Sequence, residues 1–141
     1  MLVPDVNILL NAYFTRLERH DGAHVWLQRV RTGNEFVGMP NLVLSGFVRI
    51  ATNPRVFPER LSADDALEFC EMLRDSSAVV RLAEGPRHWQ TFSSLVGAAA
   101  VTGPDVSDAY LAAFAIENNA TFVTFDRGFQ RFPGLRVLEP A

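Results

Sequence analysis

The residues best suited to chemistry in this chain are aspartates at the ends of predicted elements. Asp105 and Asp108 open a segment in which Leu111, Ala112 and Ala115 follow at positions i+6, i+7 and i+10 from Asp105. These positions share one stripe of an α-helix. A lone carboxylate on a stripe that faces the core is costly to bury, so a hydrogen-bond network, an arginine or a metal ion is expected to meet these acids.

Two further aspartates follow apolar segments that are predicted to be buried strands. Asp5 comes after Leu2–Pro4, and Asp126 comes at the end of Thr121–Phe125. In parallel α/β sheets, ligands lie at the carboxyl ends of the strands, near a switch in topology. The helix that carries the first two aspartates begins at the same edge, so separate parts of the chain are expected to bring carboxylates to one rim.

Carboxylates without histidine or cysteine partners suit a hard cation such as Mg²⁺ or Mn²⁺. Such an ion lowers the pKa of a bound water and neutralises charge on a phosphate, which is the chemistry of phosphodiester hydrolysis. Thr124, two residues before Asp126, is placed to orient a ligand or a water. Asn7, two residues after Asp5, is placed to position an acid through its amide.

Each of these residues also has an ordinary structural role that the sequence leaves open. The alternative role of Asp5, Asn7 and Asp105 is to cap a helix, and that of Asp108 is to stabilise the first turn of its helix. Asp126 can stabilise the turn after it, and Thr124 has ordinary strand propensity. Capping does not require convergence on one rim, so the set as a whole favours a functional site.

All 13 basic residues are arginines, and the net charge is −3. The absence of lysine excludes Schiff-base chemistry and a Walker-type phosphate loop. Arginine suits phosphate recognition, and the candidates for contacts with nucleic-acid phosphates are Arg49, Arg55, Arg127 and Arg131. Ion pairing with local acids is the alternative for these side chains.

The bulk properties are those of one globular domain over residues 1–141. No apolar run reaches the roughly 18–20 residues of a membrane span, and the N-terminus has no positively charged region of a secretory signal. The only cysteine, Cys70, is expected in the core. These features predict a cytoplasmic protein without a membrane partner.

Apolar periodicity and turn residues predict strands that alternate with helices. The predicted strands are Leu2–Pro4, Glu35–Gly38, Ala78–Leu82, Thr121–Phe125 and Leu135–Leu138. The predicted helices begin near Asp5, Gly22, Pro40, Ser62, Pro86 and Asp105, and the first of them continues to Leu17. This alternation indicates an α/β domain with a mainly parallel sheet.

Three segments resemble the PIN-domain ribonucleases, and within them the VapC toxins of bacterial toxin–antitoxin pairs, especially those of actinobacteria. They read PDVNILLNAY, GFVRIATNPRVF and SDAYLAAFAIENNATFVTFDRGFQRFPGL, and together they span nearly the whole chain. The resemblance implies a Rossmann-like PIN fold with three α/β/α layers and RNA hydrolysis that depends on Mg²⁺ or Mn²⁺. It also implies a homodimer and a cognate VapB-type antitoxin that neutralises the activity.

By the same resemblance, the catalytic and metal-binding acids are Asp5, Asp108 and Asp126, and the supporting polar residues are Asn7 and Thr124. The chain departs from the family at one position. A glutamate usually stands in the third helix where this chain has Gly46, and no acid lies between Gly38 and Pro58. Either the site has one ligand fewer, or Asp105 substitutes.

The departure leaves two hypotheses for the function. The chain is either an active endoribonuclease toxin or a PIN-fold module with weak or lost catalysis that binds RNA or a protein. A phosphoaspartate enzyme or receiver domain also places acids at a sheet edge. That class is disfavoured because the chain has no D-x-D-x-T motif and no lysine.

Overall fold

A five-stranded parallel sheet forms the centre of the computed structural model, which describes all residues from 1 to 141. The strands are β1 (Leu2–Pro4), β2 (Val37–Pro40), β3 (Val79–Leu82), β4 (Thr121–Val123) and β5 (Arg136–Leu138). The helices are α1 (Val6–Tyr13), α2 (His20–Thr32), α3 (Asn41–Ala51), α4 (Ala63–Arg74), α5 (His88–Ala99) and α6 (Val106–Glu117). Two 3-10 turns cover Gly103–Asp105 and Arg127–Arg131.

The order of the strands places a switch in topology next to β1. The order is β3-β2-β1-β4-β5, and every neighbouring pair is parallel. The chain therefore moves outward from β1 on one side and then builds β4 and β5 on the other. A crevice at the carboxyl ends of β1 and β4 is where such sheets bind ligands.

Helices cover the sheet in two groups and complete the predicted α/β/α architecture. α1 packs against α2 and α3, α3 packs against α4, and α5 pairs with α6. α6 is rich in alanine and is buried over Leu111–Ala115, which lets it approach the sheet closely. Its first turn is thereby fixed at the rim. None of the helices combines the length and the apolar character that a membrane-spanning helix needs.

Several element boundaries differ from the predicted ones. α1 ends at Tyr13 instead of Leu17, because Phe14 has an extended backbone and its N–H closes the helix on Leu10. β2 begins at Val37 instead of Glu35, because only Val37–Pro40 pair with β3. Pro40 is therefore the last residue of β2, a position that tolerates proline because no N–H donor is needed there. α3 starts one residue later, at Asn41.

The segment before α6 also corrects the prediction for Asp105. A 3-10 turn precedes the helix, and Asp105 is exposed instead of lying on a core-facing stripe. Its side chain makes no capping hydrogen bond to α6. α5 starts at His88 and not at the predicted Pro86. The residues on either side of Pro86 are bound elsewhere, because the N–H groups of Gly85 and Arg87 donate to the two carboxylate oxygens of Glu117, each at 2.9 Å.

Candidate functional site

Asp5 lies where β1 passes into α1, and it is only 8% exposed. Its backbone N–H donates to the carbonyl of Val123 on β4 at 2.8 Å. Its Oδ1 accepts the N–H of Val6 at 2.7 Å, so the side chain caps α1 as well as facing the crevice. Asp5 therefore caps α1, as the sequence allowed, and also lies at the predicted rim of the sheet.

The other carboxylate oxygen of Asp5 is held by two polar side chains. Oδ2 accepts the Thr124 hydroxyl at 2.8 Å and the Asn7 amide Nδ2 at 3.1 Å. Asn7 Nδ2 also lies 3.2 Å from Thr124 Oγ1, and Asn7 Oδ1 accepts the N–H of Phe125 at 3.3 Å. Thr124 is 1% exposed. This network joins the start of α1 to the end of β4 and leaves the Asp5 carboxylate one orientation.

The electrostatic environment raises the pKa of Asp5 from 3.8 to about 6. Burial is the largest cause, since it removes water from the charged form. The hydrogen bonds from Thr124 and Val6 oppose this effect, and the charges of Asp108 and Asp126 add to it. The three acids that the sequence analysis selected are therefore close enough to act on one another.

Asp108, in the first turn of α6, is half-buried and meets an arginine. Its Oδ2 accepts Nη2 of Arg131 at 3.0 Å. Arg131 also donates to the carbonyl of Gly128 at 3.0 Å and lies over the ring of Phe132 at 4.8 Å. Burial raises the pKa of Asp108, Arg131 opposes that rise, and the charges of Asp126 and Asp105 add to it.

Asp126 is exposed just beyond β4. Its backbone N–H donates to Thr124 Oγ1 at 3.0 Å, and its Oδ1 accepts the N–H of Gly128 at 2.8 Å. The turn role that the sequence allowed is therefore realised, while Oδ2 makes no hydrogen bond within the chain. Thr124 thus contacts both Asp5 and the backbone of Asp126.

The donor chemistry of the rim fits a hard divalent cation, although the side chains are not gathered around one point. Every acid at the rim offers carboxylate oxygens, and the charges of neighbouring acids contribute to the raised pKa of Asp5 and of Asp108, an effect that a cation would relieve. No group of three or more histidine, cysteine, aspartate or glutamate side chains is arranged to hold an ion. In this arrangement Arg131 takes the place beside Asp108 that a cation would compete for.

Gly46 lies on α3 where that helix contacts the start of α1. A Cβ atom at this position would be 2.8 Å from Cγ2 of Val6, the residue after Asp5. The position therefore packs against the residue that follows Asp5. The space that a glutamate would need is filled by Val6.

The arginine candidates differ in their surroundings. Arg49 and Arg55 are exposed and make no ion pair within the chain. Arg127 is exposed, with Nη2 3.7 Å from Oε2 of Glu139. Only Arg131 contacts a candidate catalytic acid. No local spacing pairs it with Asp108, because 23 positions separate the two residues.

A cleft of about 550 Å³ lies between α3, α5 and α6, and its lining includes Ser107, the residue before Asp108. Phe92 and Tyr110 provide its aromatic wall, with ring centroids 5.2 Å apart. Burial and the nearby Glu84 carboxylate raise the pKa of the Tyr110 phenol. Sequence reasoning missed this cleft because its walls come from separate elements that share no motif.

Comparison with known proteins places this chain in a family. The PIN domain model matches residues 2–135. Ribonuclease VapC43 from Mycobacterium tuberculosis is 43% identical over 140 residues, which cover 99% of this chain and 95% of that protein. Ribonuclease VapC33 from the same organism is 34% identical over 140 residues, covering 99% of this chain and 98% of that protein.

A solved structure supports the same fold. VapBC-1 from nontypeable Haemophilus influenzae has a TM-score of 0.71 at 16% identity, over 98% of this chain and 96% of that chain. The chain therefore belongs to the PIN domain family. Within that family its relatives are VapC ribonucleases, so the resemblance drawn from the three sequence segments is confirmed.

Proposed function

We propose that this protein is a metal-dependent endoribonuclease, a hydrolase that acts as the toxin of a VapBC toxin–antitoxin pair. The observation that carries the proposal is the buried Asp5 carboxylate, held by Thr124 and Asn7 at the switch point of the sheet. Its pKa is raised in part by two further acids at the same rim. Acids placed to raise one another's pKa are typical of functional sites. The names of the VapC relatives support the same activity.

The residues that would hold Mg²⁺ or Mn²⁺ are Asp5, Asp108 and Asp126, and Asp105 is an alternative ligand. When bound, the ion supplies a more acidic water and neutralises charge on the phosphate. Asn7 and Thr124 keep the carboxylate of Asp5 in position through the hydrogen bonds described above.

Arg131 has two uses in this proposal. It neutralises Asp108 before substrate binds, through the contact at 3.0 Å. A cation bound at Asp108 would leave the guanidinium of Arg131 free to bind a phosphate oxygen of the RNA, for which its planar donor geometry is suited. Arg49, Arg55 and Arg127 are the further candidates for phosphate contacts.

The partners that the proposal requires are RNA, a cognate VapB-type antitoxin and a second copy of the chain in a homodimer. RNA cleavage and antitoxin pairing place its action in the cytoplasm. The ribonuclease names of the relatives support RNA as the substrate, and the VapBC-1 structure supports a VapB-type partner.

Replacement of Asp108 by Asn tests the activity directly. The variant keeps the shape of the side chain and removes its charge, so we expect RNA cleavage and growth arrest on expression both to be lost. Co-expression of a cognate VapB-type antitoxin should restore growth to cells that express the wild-type protein. Asp64→Asn, at an exposed acid of α4, is the matched control and should keep both effects. A folded Asp108→Asn protein that cleaves RNA at the wild-type rate would refute the assignment.

A second candidate function is a PIN-fold module that binds RNA or protein without cleaving it. Two observations favour it: position 46 is a glycine instead of an acid, and Arg131 forms an ion pair with Asp108. Calorimetric titration with Mn²⁺ separates the two functions. Absence of binding at millimolar Mn²⁺ supports the module, whereas saturable binding together with cleavage supports the nuclease.

A further inference from the structure

The cleft between α3, α5 and α6 adjoins the carboxylate rim on two elements. On α6, the lining residue Ser107 directly precedes Asp108. On α3, the lining residue Ser45 directly precedes Gly46, which faces Val6 beside Asp5. The cleft is therefore close enough to the acids for a neighbouring nucleotide of an RNA bound there to reach it.

The polar groups of the cleft are available to a ligand. Glu84 makes no ion pair within the chain, and its carboxylate interacts with the Tyr110 hydroxyl, which uses only one of its several lone pairs. The Ser107 hydroxyl, which also lines the cleft, has no hydrogen-bond partner within the chain. Asn41 uses its Oδ1 to accept Nη1 of Arg74 at 2.7 Å, which leaves its NH₂ group as a free donor. The cleft thus presents a carboxylate with spare acceptor capacity, a free donor and a hydroxyl next to aromatic rings.

The walls of the cleft are fixed by buried contacts behind them. His88 is 2% exposed, its Nε2 lies 3.0 Å from the carbonyl of Tyr110, and its ring packs against the ring of Tyr110 at 4.3 Å. Behind Glu84, the following loop is bound at Gly85 by the Glu117 carboxylate at 2.9 Å. The shape of the cleft is therefore present before a ligand arrives, which lowers the cost of binding.

We propose that this cleft binds one unpaired base of the RNA next to the scissile phosphate, and that it favours bases with an amino group over uracil. This inference rests on the nuclease function proposed above. Unpaired RNA bases are recognised by stacking on aromatic side chains and by hydrogen bonds to their edges, and Phe92, Tyr110 and the free polar groups supply both. The Glu84 carboxylate accepts hydrogen bonds only. Cytosine, adenine and guanine each offer it an exocyclic amino group, whereas the one N–H on the edge of uracil lies between two carbonyl oxygens that repel a carboxylate.

The charge of the lining argues against the other occupants. No arginine lines the cleft, and a carboxylate does, so a phosphate group is disfavoured there. An apolar protein surface would bury the charge of Glu84 with only the Tyr110 hydroxyl as its partner, which is costly. A base with an exocyclic amine satisfies the aromatic wall and the carboxylate together.

Abasic scanning tests whether a base occupies the cleft. The wild-type chain in EDTA is titrated with a fluorescent, unstructured RNA octamer in which one base at a time is removed. We expect removal at one position to weaken binding by about tenfold, the effect of one base–aromatic stack. That loss should disappear in Phe92→Ala and persist in the control Phe36→Ala, an exposed ring just before β2.

The identity of the base is tested at the same position. Cytosine, adenine or guanine should bind about tenfold more tightly than uracil, and Glu84→Gln should reduce this preference. Glu84 is exposed, so this variant keeps the fold even if Phe92→Ala does not. The matched control, Glu68→Gln, alters an exposed carboxylate on α4 and should keep the wild-type preference.

The outcomes separate the inference from the function on which it rests. A flat abasic profile, or an unchanged base preference in Glu84→Gln, overturns the base-binding cleft and leaves the nuclease intact. Conversely, a positional base effect without any cleavage in Mg²⁺ or Mn²⁺ supports the cleft and refutes the nuclease. If Phe92→Ala converts a dimer to a monomer in sedimentation and leaves the abasic profile unchanged, a second copy covers the cleft and the inference is wrong.

Discussion

At the scale of a single residue, two opposing influences set the pKa of Asp5. Burial favours its neutral form, whereas the Thr124 hydroxyl and the Val6 N–H favour the carboxylate, and the result is a pKa of about 6 against an ordinary 3.8. Because the folded-state pKa is raised, the neutral acid stabilises the fold. That contribution is complete below pH 3.8 and is lost as the pH rises through about 6.

Metal binding should show the opposite dependence on pH, because a ligand carboxylate must be ionised. With a pKa of about 6 for Asp5, we expect the affinity for Mn²⁺ to be about tenfold weaker at pH 5 than at pH 7. Calorimetric titration across this range measures the effect. Thr124→Val removes a hydrogen bond that lowers the pKa of Asp5, so its midpoint should move above that of the wild type. An affinity that is constant between pH 5 and 7 would mean that Asp5 is not a ligand.

At the scale of elements, the contact between α1 and α3 decides whether the site has a further acid. Gly46 lets the two helices meet, and the Cβ of any other residue would lie 2.8 Å from Cγ2 of Val6. Valine is stiff about its first side-chain torsion and cannot easily turn away. A glutamate at position 46 therefore requires a smaller residue at position 6.

This contact predicts different results for single and double variants. Gly46→Glu alone should lower the free energy of unfolding by about 1–3 kcal/mol, the usual cost of overpacking. With Val6→Ala in addition, the glutamate gains room, and we expect faster RNA cleavage in Mg²⁺ than for Val6→Ala alone. Cleavage rates and thermal melting of the three variants provide the comparison. Equal cleavage by Val6→Ala and the double variant would show that the fourth acid is not needed.

At the scale of the whole molecule, the net charge of −3 opposes RNA binding, so local arginines must supply the attraction. Arg49, Arg55 and Arg127 lie at the exposed surface, and Arg131 lies at the rim beside Asp108. Each phosphate contact made by an arginine releases counterions from the RNA, which makes the affinity depend on salt.

The four arginine candidates therefore predict the salt dependence of binding. Four contacts with single-stranded RNA give a slope of about −3 for the logarithm of affinity against the logarithm of salt concentration. Replacing any one of the four with Gln should make the slope shallower by about 0.7. Arg81→Gln, at an exposed arginine paired with Asp75, is the control and should leave the slope unchanged. A wild-type slope near zero would exclude these arginines as phosphate ligands.

The sequence by itself determined the elements and the placement of the acids along them. Apolar runs and turn residues predicted the five strands, and the segments around Asp5, Asp108 and Asp126 carried the resemblance that the comparisons confirmed. Such features are local, because periodicity and capping depend on neighbours a few residues apart. The misplaced start of β2 and the exposed Asp105 are also local, and they arise where pairing or a 3-10 turn overrides the pattern.

Only the tertiary structure decided what each acid meets. Thr124 reaches Asp5 across 119 positions, and Arg131 reaches Asp108 across 23, and no spacing in the sequence encodes either contact. Such contacts depend on strand register and on how α6 seats against the sheet. The base-binding cleft arises in the same way, from elements that become neighbours only when the core packs.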